Sequence, residues 1–159
     1  MGCDNSATLT EAAAIEGVIR LLGDIKRGHL CLHDVRQKAA MALQTYGAYA
    51  AEQLAEADVG IPPAVNLRTA EDGRVEVVGM HPQCDTIALL FASNPKLLKG
   101  LKEIEVLHEI IRTEEVAVQQ RYEHRSDPET TAMLVAVPPS FNLGLTSGGP
   151  IVFFSAAPT

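Results

Sequence analysis

The chain has 159 residues and a formal net charge of −7, with 47% apolar, 21% charged and only 4% aromatic side chains, and no tryptophan. That length suits one domain with one core, and this core has to be built from Ala, Leu, Ile and Val. The acidic balance argues against nucleic-acid binding, which needs a basic stripe to displace counterions; the best cationic cluster, Lys96, Lys99 and Lys102, is interleaved with Glu103 and Glu105.

The first six residues, Met1-Gly2-Cys3-Asp4-Asn5-Ser6, resemble an N-myristoylation signal with an adjacent palmitoylatable cysteine. Gly2 and Cys3 are thus candidate lipidation sites. One myristoyl chain binds membranes only marginally, so Cys3 would have to supply the second anchor. No polybasic patch assists, since the first positive side chain is Arg20.

Thr8 and Glu11 have capping-box spacing and open a long helix over 9–57. An apolar seam follows at alternating gaps of three and four: Ile15, Val18, Leu22, Ile25, His29, Leu32, Arg36, Ala39, Leu43, Tyr46, Ala50. Ile19, Leu21, Val35, Ala42, Tyr49 and Leu54 widen it. A single rod of that span would be about 70 Å long. Lys26-Arg27-Gly28 also reads as a helix ending, so a hairpin broken near Gly28 is the rival. The seam keeps its phase across the glycine, which favours a continuous or kinked helix.

Pro62-Pro63 stops the helix, and Glu71-Asp72-Gly73 turns a small β-hairpin over 64–79. Asp85 is placed to cap a short helix, 85–93. Asn94-Pro95 supplies an N-cap and a first-turn proline for a second long helix, 95–124, with a buried stripe of Leu97, Leu101, Ile104, Leu107, His108, Ile111 and Val118. The remainder, 129–159, is an apolar tail in which "MLVAV" and "PIVFF" read as short strands separated by Pro138-Pro139 and a turn, "TSGGP". The expected fold is α+β, predominantly α: a long N-terminal helix packed on a second long helix, with a small hairpin and a C-terminal strand segment, in a single domain.

Three cysteines, Cys3, Cys31 and Cys84, make no disulfide framework. The N-terminus lacks a basic region followed by an apolar run, and no apolar run reaches the roughly 20 residues that span a bilayer. A reducing, cytoplasmic setting is the expectation, with membrane association through Gly2 and Cys3 as the alternative.

His29, Cys31 and His33 fall at every second position. On a helix, His29 and His33 nearly align and Cys31 points away. His29 and His33, completed by His81 and Cys84, form a candidate metal set. Ordinary helix-face and turn residues explain the same positions, because tight Cys-x-x-Cys pairs are absent. Cys84 before a helix N-terminus, with His81 as base, resembles a nucleophile arrangement but has no identifiable orienting residue. The pairs Glu103/Glu105, Glu114/Glu115 and Glu71/Asp72 read as solvated faces and a turn.

No cofactor is expected. The functional expectation is a structural or protein-interaction subunit acting by coiled-coil self-association or by assembly with a partner. Its contact residues would be Ile15, Val18, Leu22, Ile25, Leu32, Leu43, Tyr46, Val152, Phe153 and Phe154. The premise is that the seam offers more apolar length than one partner helix within the chain covers. A small enzyme or metal module, or a doubly acylated peripheral protein, is the alternative.

Overall fold

The computed structural model describes residues 32–123 and 139–156. Seven elements follow one another: helix α1 (Leu32–Glu56), strands β1 (Val65–Thr69) and β2 (Val75–Val78), helices α2 (Cys84–Ser93) and α3 (Pro95–Glu123), and strands β3 (Ser140–Thr146) and β4 (Gly149–Ser155). The expected class holds: an α+β chain dominated by two long packed helices, with a hairpin and a C-terminal strand pair. The proposed helix over 9–31, its continuity at Gly28, and the "MLVAV" stretch lie outside the described residues.

The helical seam builds the core. Ala39, Tyr46, Ala50 and Leu54 of α1 are at most 7% exposed. They meet Leu97, Leu101, Ile104 and Leu107 of α3, each at most 1% exposed. The two helices run antiparallel. Tyr46 OH donates to the Leu97 carbonyl at 2.9 Å, Ala39 packs with Leu107, and Arg36 pairs with Glu115. A Cβ on Gly100 would stand 2.5 Å from the Tyr46 ring, so only glycine lets the tyrosine lie across α3 at that turn. At the start of α1 the buried position is Val35 rather than Leu32 or Arg36; Leu32 is half-buried and Arg36 is exposed. On α3 the stripe weakens outward, with His108 and Ile111 half-buried and Val118 38% exposed.

Helix starts follow local chemistry. Asn94 Oδ1 accepts from Lys96 N and Leu97 N, and Pro95 needs no donor partner at the first position. The Asn94 amide nitrogen reaches Tyr49 OH and Gln53 Oε1, tying this start to α1. Asp85 does not cap α2. Gln83 occupies the cap position without a side-chain cap bond, and Asp85 sits inside the first turn, where a carboxylate faces the positive end of the helix. The Gln83 side chain is already committed elsewhere, to Gly60 N and the Asp58 carbonyl.

The sheet is antiparallel throughout, in the order β2-β1-β3-β4. β1 and β2 form the hairpin, closed by Gly73 N to the Ala70 carbonyl and Ala70 N to the Arg74 carbonyl. The inner partner of β1 is β3, "SFNLGLT", with Val65 opposite Leu145 and Leu67 opposite Leu143. Successive residues of a strand alternate faces. Val65, Leu67, Phe141, Leu143 and Leu145 therefore share the core face, and all are buried against residues of α1, α2 and α3. Among the described residues, no helix lies on the other face.

Candidate interaction surface

The uncovered face of the sheet can be read from the register. Asn66, Arg68, Glu76 and Val78 come from the hairpin, Asn142 and Gly144 from β3, and Ile151 and Phe153 from β4. Arg68 and Glu76 stand opposite each other and form an ion pair at 2.7 Å. The Asn142 amide nitrogen donates to the Ser140 carbonyl at 2.9 Å and to Ser155 Oγ at 2.8 Å, and the residue is 2% exposed. Gly144 carries no side chain beneath Ile151: a Cβ there would stand 2.9 Å from Ile151 Cγ1 and 3.0 Å from Asn66 Oδ1. Ile151 thus lies down across β3, yet remains 49% exposed, with Phe153 beside it 39% exposed. An apolar strip at one side of an otherwise polar sheet face is the result.

That strip borders an edge. β4 pairs with β3 on one side, and among the described residues no strand pairs with the other. Backbone groups of an edge strand alternate between pairing inward and pointing outward. Pro150 has no N–H, so its place is on the outward half, where no ladder bond is lost. The alternation then directs the N–H and C=O groups of Val152 and Phe154 outward. Pro150 blunts one end of this edge, which is a common protection against indiscriminate pairing.

Of the described residues expected at a partner surface, Phe153 alone faces this open side. Val152 and Phe154 pack on the core face of β4, Phe154 edge-on to Phe141 at 5.9 Å and under the Arg112 guanidinium at 5.6 Å. Leu43 and Tyr46 are occupied inside the chain's own core. Leu32 is half-buried at the start of α1. Ile15, Val18, Leu22, Ile25, His29, Gly2 and Cys3 lie outside the described residues.

Of the proposed metal residues that are described, His81 and Cys84 share one turn and His33 stands apart from them. His33 is exposed in the first turn of α1. His81 lies past the opposite end of that helix, bonded to the Gly60 carbonyl. The 25 residues of α1 separate them by about 37 Å of helix. Both ring nitrogens of His81 are engaged: Nδ1 accepts from Gln83 N at 3.1 Å, so Nε2 carries the hydrogen toward the Gly60 carbonyl at 3.1 Å. Cys84 is half-buried, its amide donating to the His81 carbonyl and its Sγ lying 3.9 Å from Asp85 Oδ1. Among the described residues, no three His, Cys, Asp or Glu side chains are grouped to hold a metal, and no buried side-chain polar atom is left without a partner.

Ile151, Asn142 and Gly144 are the site residues that the seam and motif reading passes over. Their signal is the period of two in "SFNLGLT" and "PIVFF", which assigns Phe153 and Phe154 to opposite faces. Among the described residues, no helix is long and apolar enough to cross a membrane. Comparison with known protein families, curated proteins and solved structures finds no match to this chain.

Proposed function

We propose that the chain is a structural or interaction subunit of the cytoplasm. It works by associating with a second copy or a partner protein through the open sheet face and the β4 edge. The carrying observation is the pair Ile151 and Phe153, 49% and 39% exposed beside an unpaired edge strand. Sheet faces and edges of this kind serve as docking surfaces by strand addition.

Magnitudes decide which part matters. Strands of 5, 4, 7 and 7 residues, about 4.8 Å apart, give a face of roughly 380 Å². Stable complexes cover about 800 Å² per partner. The face alone supports only a weak complex, so main-chain pairing along β4 must add to it. In the described part of the helical seam, Ala39, Tyr46, Ala50 and Leu54 are buried in the core, which favours the sheet over the seam in this reading.

Sedimentation or light scattering across a concentration series tests this reading. Association is expected, and the Ile151→Lys and Phe153→Asp variants are expected to weaken it while leaving helix content unchanged. A folded monomer at micromolar concentration removes the self-association form. Equal association by the wild type and both variants moves the contact away from this face.

A further inference from the structure

The β4 edge is selective about what can pair with it. Pro150, Val152 and Phe154 turn their backbone groups outward, while Ile151, Phe153 and Ser155 turn theirs inward to β3. Side chains follow the same alternation: Val152 and Phe154 lie on the core face, Ile151 and Phe153 on the open one. Helix α1 lies directly over this strand, so close that a Cβ on Gly47 would collide with the Pro150 ring. Successive helical residues turn by about 100°. Ala40, Gln44, Ala48, Ala51 and Ala55 therefore follow Gly47 round the helix, on the side turned away from Tyr46 and α3. All five are exposed and none is charged.

We propose that the partner at this edge is a second copy of the chain, and that two β4 strands pair antiparallel about a two-fold axis, centred so that Phe153 faces its own counterpart. The pairing rests on the reading of β4 as a contact edge and names its occupant. Geometry fixes the register. An antiparallel pair sets outward-turned residues opposite outward-turned ones, so the centre falls on a residue and not between two. A centre on Pro150, Ile151 or Val152 brings the proline into the ladder, where its ring meets a carbonyl that needs a donor. A centre on Phe154 leaves Val152 facing residues past the end of β4. The centre on Phe153 sets Val152 opposite Phe154 of the second copy, and Phe154 opposite Val152. Each of these pairs exchanges two hydrogen bonds, with no proline among them.

The helix layer argues for a second copy over a bare strand. Because α1 overlies the edge strand, a chain that extends this sheet and carries its own helices must bring one of them against the outer side of α1. Packed helices lie about 8–10 Å apart, and small side chains permit the shorter distance. A second copy lays its own α1 there across the same axis, alanine against alanine. An extended peptide without helices would leave that side of α1 bare.

Charge and area agree with this occupant. Gly149–Ser155 holds no charged side chain, nor do the five α1 positions, so two copies of an acidic chain meet there without like-charge contact. About 22 Å of α1 and about 24 Å of β4, each roughly 10 Å wide, offer roughly 450 Å² on each copy. The two together come near the total of about 1,000 Å² at which a specific interface begins, which makes the dimer weak and reversible.

Disulfide trapping tests the register in the full-length chain with Cys3, Cys31 and Cys84 replaced by serine. Ile151 stands opposite Ser155 of the second copy in a non-hydrogen-bonded pair, with Cα atoms about 4.5 Å apart, within reach of a disulfide. Ile151→Cys and Ser155→Cys are prepared as separate variants. Their equimolar mixture is expected to give at least about tenfold more cross-linked dimer on oxidation than either variant alone. In sedimentation, Ala51→Arg is expected to weaken dimerisation by about tenfold, because it sets two cations across the axis, and to leave the unfolding midpoint unchanged. Association of the wild type without cross-linking in the mixture would overturn this pairing and leave the reading of the sheet as a contact surface standing. Cross-linking of either variant with itself as readily as in the mixture would overturn the register too. Dimerisation of Ala51→Arg equal to that of the wild type would remove the helix contact, and with it the area the arrangement needs. A wild type that stays monomeric throughout the concentration series would overturn both the pairing and self-association.

Discussion

Tyr46 joins α1 to α3 twice, through a ring that fills the space left by Gly100 and a hydroxyl that reaches the Leu97 carbonyl. Its place in the seam was legible from the three–four spacing; its hydrogen-bond partner, on another helix, was not. Tyr46→Phe should cost about 1 kcal/mol in denaturant unfolding, the worth of one neutral hydrogen bond. Gly100→Ala should cost about 1–3 kcal/mol, because the added methyl collides with a ring held on both sides. Burial keeps the Tyr46 hydroxyl protonated far above its ordinary range, with the neighbouring Tyr49 adding to the effect. The folded state therefore holds a proton that the unfolded chain releases above about pH 10. Stability is complete below that pH and falls as pH rises beyond it, and Tyr46→Phe should flatten this alkaline limb. Asp72 has the opposite sign. The Arg74 backbone N–H, then its guanidinium, hold the carboxylate below its usual range. The turn contact persists above the normal carboxylate range and is lost in acid. An NMR titration of the Gly73 amide should report a midpoint lower than that of a free aspartate.

At the scale of elements, one loop is held by side-chain hydrogen bonds to its main chain. His81 and Gln83 clamp the segment after α1 to the segment before α2, with Gln83 alone contacting Gly60 N and the Asp58 carbonyl. Gln83→Ala leaves both groups without that partner and should lower thermal stability by about 1–2 kcal/mol, with helix content preserved below the transition. Sequence spacing foretold the Asn94-Pro95 start of α3 because capping is local chemistry. It also foretold the Glu71-Asp72-Gly73 turn, for the same reason. It did not foretell β3. The open-face positions of that strand are Asn142 and Gly144, residues that strands usually avoid. Their tolerance depends on Ser155 and Ile151 across the ladder, contacts that follow from the strand register rather than from local propensity. The role of His81 was not legible either: both ring nitrogens hold main-chain groups, at Gly60 and Gln83, that the local sequence does not single out.

At the scale of the molecule, the described helices all lie on one side of the sheet, so the proposed contact face is separate from the core. Leu43→Ala, at the edge of the core, should lower stability by about 1–2 kcal/mol and leave the association constant unchanged. Phe153→Asp should do the reverse, which equilibrium unfolding and sedimentation on the same two variants would show. Apolar content and helical period gave no hint of this separation. The seam could be counted, but the number of faces ready to cover it could not. The strand order carries one more consequence. β1 lies inside the sheet, and its inner neighbour pairs Val65 with Leu145, far along the sequence. During synthesis the β1–β2 hairpin must wait, one flank bare, until β3 has left the ribosome. Such long-range closure slows folding and lengthens exposure to aggregation. A nascent chain stalled before Ser140 should therefore depend on chaperones in a way that the finished protein does not.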